Sequence, residues 1–298
     1  MNSEAFRLDV RQARRAFERA ARAGKDSAVL QREIEARMLD RLDYIRVQPA
    51  RILDAGCGAG RGLVSLGRRF PNADLLGVDF AQAALRAARR SESRLARAWR
   101  SLAGPALTYV CADFSRLPFR SGSVAMVWSN LALAWAADPL SALREIHRVL
   151  SPGGLLMFST YGPDTLKELK AAFAAASGTS HVHSFVDMHD LGDMLVASGF
   201  AAPVMDMETL TLTYADATAL VGDLRASGQT CAGIGRRPGL MGRGVWRRML
   251  ESYESRRSKG RLAATVEALY GHAWKGEPRV DAEGRRVVKI EMRTKIQR

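Results

Sequence analysis

The chain has 298 residues, 47% hydrophobic and 26% charged, the balance of a globular protein with a sizeable core. Neither a run of 18 apolar residues nor an internal repeat occurs, which excludes a hydrophobic membrane-spanning helix and a solenoid. The net charge of +14 is uneven: residues 1–51 carry 12 basic and 8 acidic side chains, residues 52–224 carry 15 and 16, and residues 225–298 carry 18 and 7. The basic last quarter suits an acidic partner, nucleic acid or protein.

In chain order, residues 5–22 read as a helix. A second follows possible caps Asp26 and Ser27, with an apolar stripe of Leu30, Ile34, Met38, Leu42 and Ile45. Short apolar runs then alternate with helical stretches. RILDA (51–55) precedes a helix to about Arg69, and DLLGVDF (74–80) precedes a helix over 81–99. LTYVCAD (107–113) and VAMVWSN (124–130) are strands, DPLSALREIHRVL (138–150) is a helix, and SPGG (151–154) is a turn before LLMFSTY (155–161). LKELKAAFAAAS (166–177) and DMHDLGDMLVASG (187–199) read as helices, VMDMETLTLTY (204–214) and ATVEALYGHAW (264–274) as strands. Residues 216–258 form a helical, glycine-interrupted insertion before the last strand, and VVKIEM in the basic tail is a possible edge strand. Strand–helix alternation implies an α/β fold with a mostly parallel sheet covered on both faces.

The three cysteines, Cys57, Cys111 and Cys231, are widely separated and form no CxxC pair, which argues against a disulfide framework or a thiolate metal site. His181, His183 and His189 lack paired cysteines, and the nearby Asp187 and Asp190 suit the start of a helix, so no metal is expected. The first twenty residues lack the apolar stretch of a secretory signal, and a cytoplasmic protein is expected.

Asp54-Ala55-Gly56-Cys57-Gly58-Ala59-Gly60 lies between a strand and a helix, where a nucleotide-binding glycine loop belongs. Gly56, Gly58 and Gly60 alternate, unlike the GxGxxG of dinucleotide sites. Asp79 ends the next strand and can accept hydrogen bonds from both hydroxyls of a ribose. The strand after it ends in Cys111-Ala112-Asp113-Phe114, an acid for an amino group beside an aromatic ring.

DAGCGAG at 54–60, Asp79, CAD at 111–113 and LPFRSGSVAMVWSN at 117–130 resemble the class I S-adenosylmethionine-dependent methyltransferases. The resemblance implies a Rossmann-like seven-stranded sheet with N-terminal helices, and S-adenosylmethionine as cofactor. It places Asp54 and Gly56 near the amino-acid part of that cofactor, Asp79 at the ribose, and Asp113 and Phe114 at the adenine, with Gly58, Gly60, Phe80 and Asn130 also at the cofactor. WSNLALAW (128–135), FVDMHDLGDMLVASGF (185–200), IGRR (234–237) and TVEALYGHAWKG (265–276) are similar to one subgroup, the malonyl-acyl carrier protein O-methyltransferases of biotin synthesis. That resemblance implies methyl transfer to the free carboxylate of a malonyl thioester on acyl carrier protein. It divides the chain into a helical cap (1–51), a core (52–215 and 259–276), a substrate cover (216–258) and a basic tail (277–298).

A malonyl carboxylate is ionised at neutral pH, so in-line displacement needs alignment rather than a general base. An orienting group is expected, with Arg144, Asn130 and His272 as candidates. Trp135, Tyr161, Arg236, Arg237 and Trp274 are candidates for the substrate side, joined by Trp128 as a wall. Arg236, Arg237, Arg243, Arg247 and Arg248 are candidates to meet the acidic carrier. The subgroup's tyrosine over the active site is missing: Gly24 falls near its place, which leaves Phe17 or another aromatic to close the site. Other acceptors stay open: a different small acid, RNA, or the arginine side chain hydroxylated by a related complex I assembly family. Against nucleic acid, the chain has no Asn-Pro-Pro-Tyr-like motif and no catalytic cysteine pairing.

Overall fold

A computed structural model of the chain describes residues 8–24, 28–92, 105–177, 181–236, 239 and 241–277. Asp26, Ser27, Arg237 and the tail strand expected at VVKIEM lie outside them. The elements in order are α1 (Val10–Ala23), α2 (Val29–Leu42), β1 (Arg51–Ala55), α3 (Arg61–Arg69), β2 (Asp74–Asp79), α4 (Gln82–Ser91), β3 (Leu107–Cys111) and β4 (Val124–Ser129). They continue through α5 (Pro139–Val149), β5 (Leu150–Tyr161), α6 (Lys167–Ser177), α7 (Met188–Ala197), β6 (Phe200–Tyr214), α8 (Ala217–Ala226), α9 (Arg243–Glu254) and β7 (Leu262–Lys275).

The strands form one seven-stranded sheet in the order β3-β2-β1-β4-β5-β7-β6. Strands β3, β2, β1, β4 and β5 are parallel, and β7 runs antiparallel between β5 and β6. Chain direction reverses its order of winding between β1 and β4, so the crevice beyond their carboxyl ends is the place where such a sheet binds ligands.

Alternation along the strands separates two apolar layers. Ile52, Met126, Trp128, Leu155 and Met157 face one core with α2, α3, α6 and α9, whereas Leu53, Val127, Leu156 and Phe158 face the other with α5 and α7. A third, small cluster of Leu8, Ala13, Trp135 and Ala232 seats α1 at the end of the sheet, with Phe17 and Phe80 against it. Asp9 caps α1 by accepting from the Gln12 N–H at 3.0 Å, and Gly24 ends it at φ 64°. Arg37 and Arg41 tie α2 to the sheet edge through Glu208 and Asp206 of β6, at 2.6 and 2.5 Å.

Three local expectations change. The turn at SPGG is absorbed into the start of β5, where Gly153 takes φ 72° and the pairing with β4 shifts register between Val124 and Met126. Ile45 lies beyond the end of α2, and the helix expected over 81–99 is described only to Ser91. Between β6 and β7, α8 and α9 form the helical insertion.

Gly271 in β7 sits where a Cβ would come within 2.4 Å of the Phe158 ring and 2.7 Å of Met205 Sδ. Gly271→Ala is therefore expected to destabilise the fold by about 1–3 kcal/mol through overpacking. Denaturant unfolding checks this, and an unchanged midpoint would contradict it.

Candidate active site

The glycine loop leaves β1 and is pinned to β2. The N–H groups of Gly56 and Cys57 both donate to the Val78 carbonyl, at 2.8 and 2.9 Å. Gly56, Gly58 and Gly60 all have positive φ, and at Gly56 a Cβ would stand 2.1 Å from Ala132 Cβ, so that position requires glycine. Gly58 N–H donates to Asp79 Oδ2 at 2.9 Å and Ala81 N–H to Asp79 Oδ1 at 2.7 Å, which fixes the carboxylate at the end of β2.

This loop borders a cavity of about 400 Å³. Among its walls are Glu35, Asp54, Gly56, Gly58, Asp79, Phe80, Phe114, Trp128, Asn130 and Trp135. Three carboxylates thus share one space. Burial pushes the Asp79 carboxyl up to about 6, with Glu18 adding to the rise and the two backbone donors opposing it. Burial, with the charges of Glu35 and Asp79, raises Asp54 well above the ordinary carboxylate range. Burial also raises Glu35, against the Ser65 hydroxyl that donates to it at 2.9 Å. On the same wall the indole N–H of Trp128 is buried with no acceptor among the described residues. Clustered acids and an unanswered donor beside aromatic rings fit a ligand with cationic centres, a carboxylate, a diol and a flat base, as in S-adenosylmethionine.

A second cavity of about 400 Å³, mostly apolar, lies between α6, α8, α9 and the ends of β5 and β6. Tyr161, Phe173, His183, Phe185, Tyr214 and Trp246 are among its walls. Gln31, Trp135, Ser227 and Gln229 border both cavities, so the two meet there. Trp135 is packed edge-on between Phe17 and His183, with ring centroids at 5.0 and 4.9 Å. Phe17 also lines the first cavity, an aromatic from α1 near the place where the tyrosine was expected. Neither ring nitrogen of the buried His183 has a partner among the described residues, and burial, aided by Lys170, holds its pKa down at about 4.

Of the other sequence candidates, Asn130 stays in the wall of the first cavity and the rest fall elsewhere. Gly60 caps α3 at φ 79° and borders neither cavity. Asp113 accepts from Ser115 N–H and Oγ–H at 2.9 and 2.7 Å, closing its own turn. Asn130 spends its amide on structure: Nδ2 donates to the Gln31 carbonyl at 3.0 Å, and Oδ1 accepts from Ser159 at 2.8 Å. Arg144 is exposed on α5. His272 and Trp274 pair with Met157 and Leu155 in the sheet, and neither borders either of these two cavities. Arg236 lies 3.9 Å from Asp9, and Arg248 donates to the Ala176 carbonyl at 2.9 Å. Sequence reasoning passed over Glu35, Gln31, Gln229 and the rim residue Arg225, and weighed His183 only as a metal ligand; none carries a motif, and only three-dimensional placement marks them. Among the described residues no group of three or more His, Cys, Asp or Glu is arranged to hold a metal ion.

Residues 53–158 match the family model described as a methyltransferase domain. The malonyl-acyl-carrier protein O-methyltransferase of Gallionella capsiferriformans is 49% identical over 291 residues, covering 97% of this chain and 99% of that one. The protein of the same name from Laribacter hongkongensis is 51% identical, covering 92% of each chain. Among solved structures, the YcgJ protein of Bacillus subtilis superposes with a TM-score of 0.55 at 15% identity, over 83% of this chain and 99% of that one, which shows a shared fold.

Because its folded value lies above that of a free carboxyl, Asp79 keeps its proton to a higher pH in the free protein than an exposed carboxyl does. Its contribution to stability is present below about pH 4 and is lost as pH rises through about 6. Hydroxyl donors favour the ionised form, so affinity for S-adenosylmethionine is expected to be highest above pH 6 and to fall on acidification. Asp79→Asn should weaken binding roughly 10- to 100-fold at pH 7.5 and flatten its pH dependence. Calorimetric titration at pH 5.5 and 7.5 checks both; tighter binding in acid, or a variant equal to wild type, would contradict them.

Proposed function

The chain belongs to the malonyl-acyl-carrier protein O-methyltransferase family, and from that premise we propose that it methylates the free carboxylate of a malonyl thioester carried on acyl carrier protein, using S-adenosylmethionine, at the start of pimeloyl synthesis for biotin. The observation that carries this reading is the meeting of two cavities: an acidic one suited to a cationic methyl donor and a largely apolar one suited to an acyl group.

When bound, S-adenosylmethionine supplies a sulfonium methyl carbon that takes the carboxylate oxygen as the carbon–sulfur bond breaks and its electron pair stays on sulfur. Asp79 would accept from the ribose hydroxyls, and Asp54 and Glu35 would balance positive charge. Phe80 and Phe114 offer apolar faces to the base. The acceptor is anionic at neutral pH, so no residue has to remove a proton, and the protein's task is alignment and exclusion of water. Phe17, Trp135 and His183 make the dry wall along which the acceptor carboxylate reaches the donor.

The carrier's acidic surface is expected near the mouth of the acceptor cavity. Arg225 borders that cavity and is exposed, and Arg243 and Arg247 are exposed on α9. Arg236 and Arg248 lie in the same insertion, each with a protein group nearby. Among the described residues no helix is long and apolar enough to cross a membrane. We place the protein in the cytoplasm, where its free cysteines stay reduced.

The direct test is methyl transfer from labelled S-adenosylmethionine to malonyl-acyl carrier protein, with acetyl-acyl carrier protein as the control, followed by intact mass. A methyl-sized gain on the malonyl form alone is expected. Gain on neither form, in a preparation that binds S-adenosylmethionine, would overturn the acceptor and turn attention to other acids, RNA and arginine peptides. Arg225→Glu is expected to raise KM for the carrier-bound substrate more than for malonyl-coenzyme A; equal effects on both would remove Arg225 from the docking surface.

A further inference from the structure

Building on methyl transfer to a carboxylate, we propose that Gln229 positions the acceptor carboxylate at the junction of the two cavities, with Tyr161 fixing the orientation of its side-chain amide. An oxygen poised for transfer sits about 3–3.5 Å from the methyl carbon, so the carboxylate must lie at the boundary between the donor and acceptor spaces. Among the described residues, only Gln31, Trp135, Ser227 and Gln229 border both.

Their chemistry separates them. The Ser227 hydroxyl donates to the Asp223 and Leu224 carbonyls at 2.9 and 3.3 Å, so its one proton is spent on the end of α8. Trp135 carries a single donor on a ring held between Phe17 and His183. The Oε1 of Gln31 is buried with no donor among the described residues, so no described partner fixes which end of its amide faces the junction. Gln229 is the reverse case. Its Oε1 accepts from the Tyr161 hydroxyl at 3.1 Å, which commits the oxygen and leaves the NH2 group, two donors, for a ligand.

Tyr161 is suited to that lock. It is 3% exposed, at the end of β5, and burial pushes its pKa up, so the hydroxyl keeps its proton throughout the working range. A neutral amide also has an advantage over the arginine clamp expected from sequence. It can orient the spectator oxygen without setting a full positive charge against the attacking one, so less nucleophilicity is lost in the ground state.

The test compares Gln229→Leu, Gln229→Glu and Tyr161→Phe with wild type on malonyl-acyl carrier protein, with S-adenosylmethionine affinity measured on each. Gln229→Leu should lower kcat roughly 10- to 100-fold while the affinity stays within about twofold. Gln229→Glu should also raise KM through like-charge repulsion, and Tyr161→Phe should lower kcat by a smaller factor with KM little changed. Unchanged kcat in Gln229→Leu would overturn the proposal, as would loss of S-adenosylmethionine binding in that variant, which would assign Gln229 to the donor site or the fold. A large loss in Arg225→Gln beside a silent Gln229→Leu would overturn it in favour of an arginine clamp. Absence of methyl transfer by wild type would instead defeat the carboxylate reading itself.

Discussion

Two buried carboxyl groups and a half-buried third around one cavity are costly to keep out of water. Glu35 comes from α2, Asp54 from the end of β1 and Asp79 from the end of β2, and the sheet order brings them together. Desolvation raises all three toward the neutral form, and the charges of Glu35 and Asp79 add to the rise at Asp54. Only Asp79 has both oxygens held by backbone N–H groups. A fold that keeps this cluster has to gain from it on binding, and a cationic donor with ribose hydroxyls supplies the missing opposite charge and donors.

The rest of the architecture serves that cluster and the space beside it. Helix α1 closes the donor cavity with Phe17, whose ring meets Phe80 and Trp135 edge-on at 5.7 and 5.0 Å. The insertion between β6 and β7 builds much of the acceptor cavity and contributes Ser227 and Gln229 to the junction. Leu131, just after β4, takes φ 58° and is fixed by donating its N–H to the Ser159 Oγ at 3.0 Å, which shapes the turn that Gly56 approaches. Donor chemistry therefore belongs to the sheet, and acceptor selection to the helices added around it.

Much of the donor side was legible in the sequence because it is local. The glycine loop, Asp54 and Asp79 lie within one strand–helix–strand unit, where spacing along the chain translates directly into position. RILDA coincides with β1, and the apolar runs mark every strand within a few residues. The acceptor side was opaque for the opposite reason. Gln31 and Gln229 are about 200 residues apart in sequence and border the same junction only in the folded chain, which no periodicity reports. Arginine was the reasonable expectation for an anion, yet Arg144 is on the outer face of α5 and Arg236 beside Asp9. Asn130, read as a site residue, lines the first cavity and also ties α2, β4 and β5 together there.

The central claim is that S-adenosylmethionine answers buried carboxylates that are partly protonated in the free protein. Calorimetric titration at pH 6 in buffers of different ionisation enthalpy measures it directly, since the observed heat then varies with the protons exchanged. Net proton release on binding is predicted, diminished in Asp79→Asn. Binding with no exchange of protons, or with proton uptake, would contradict the account.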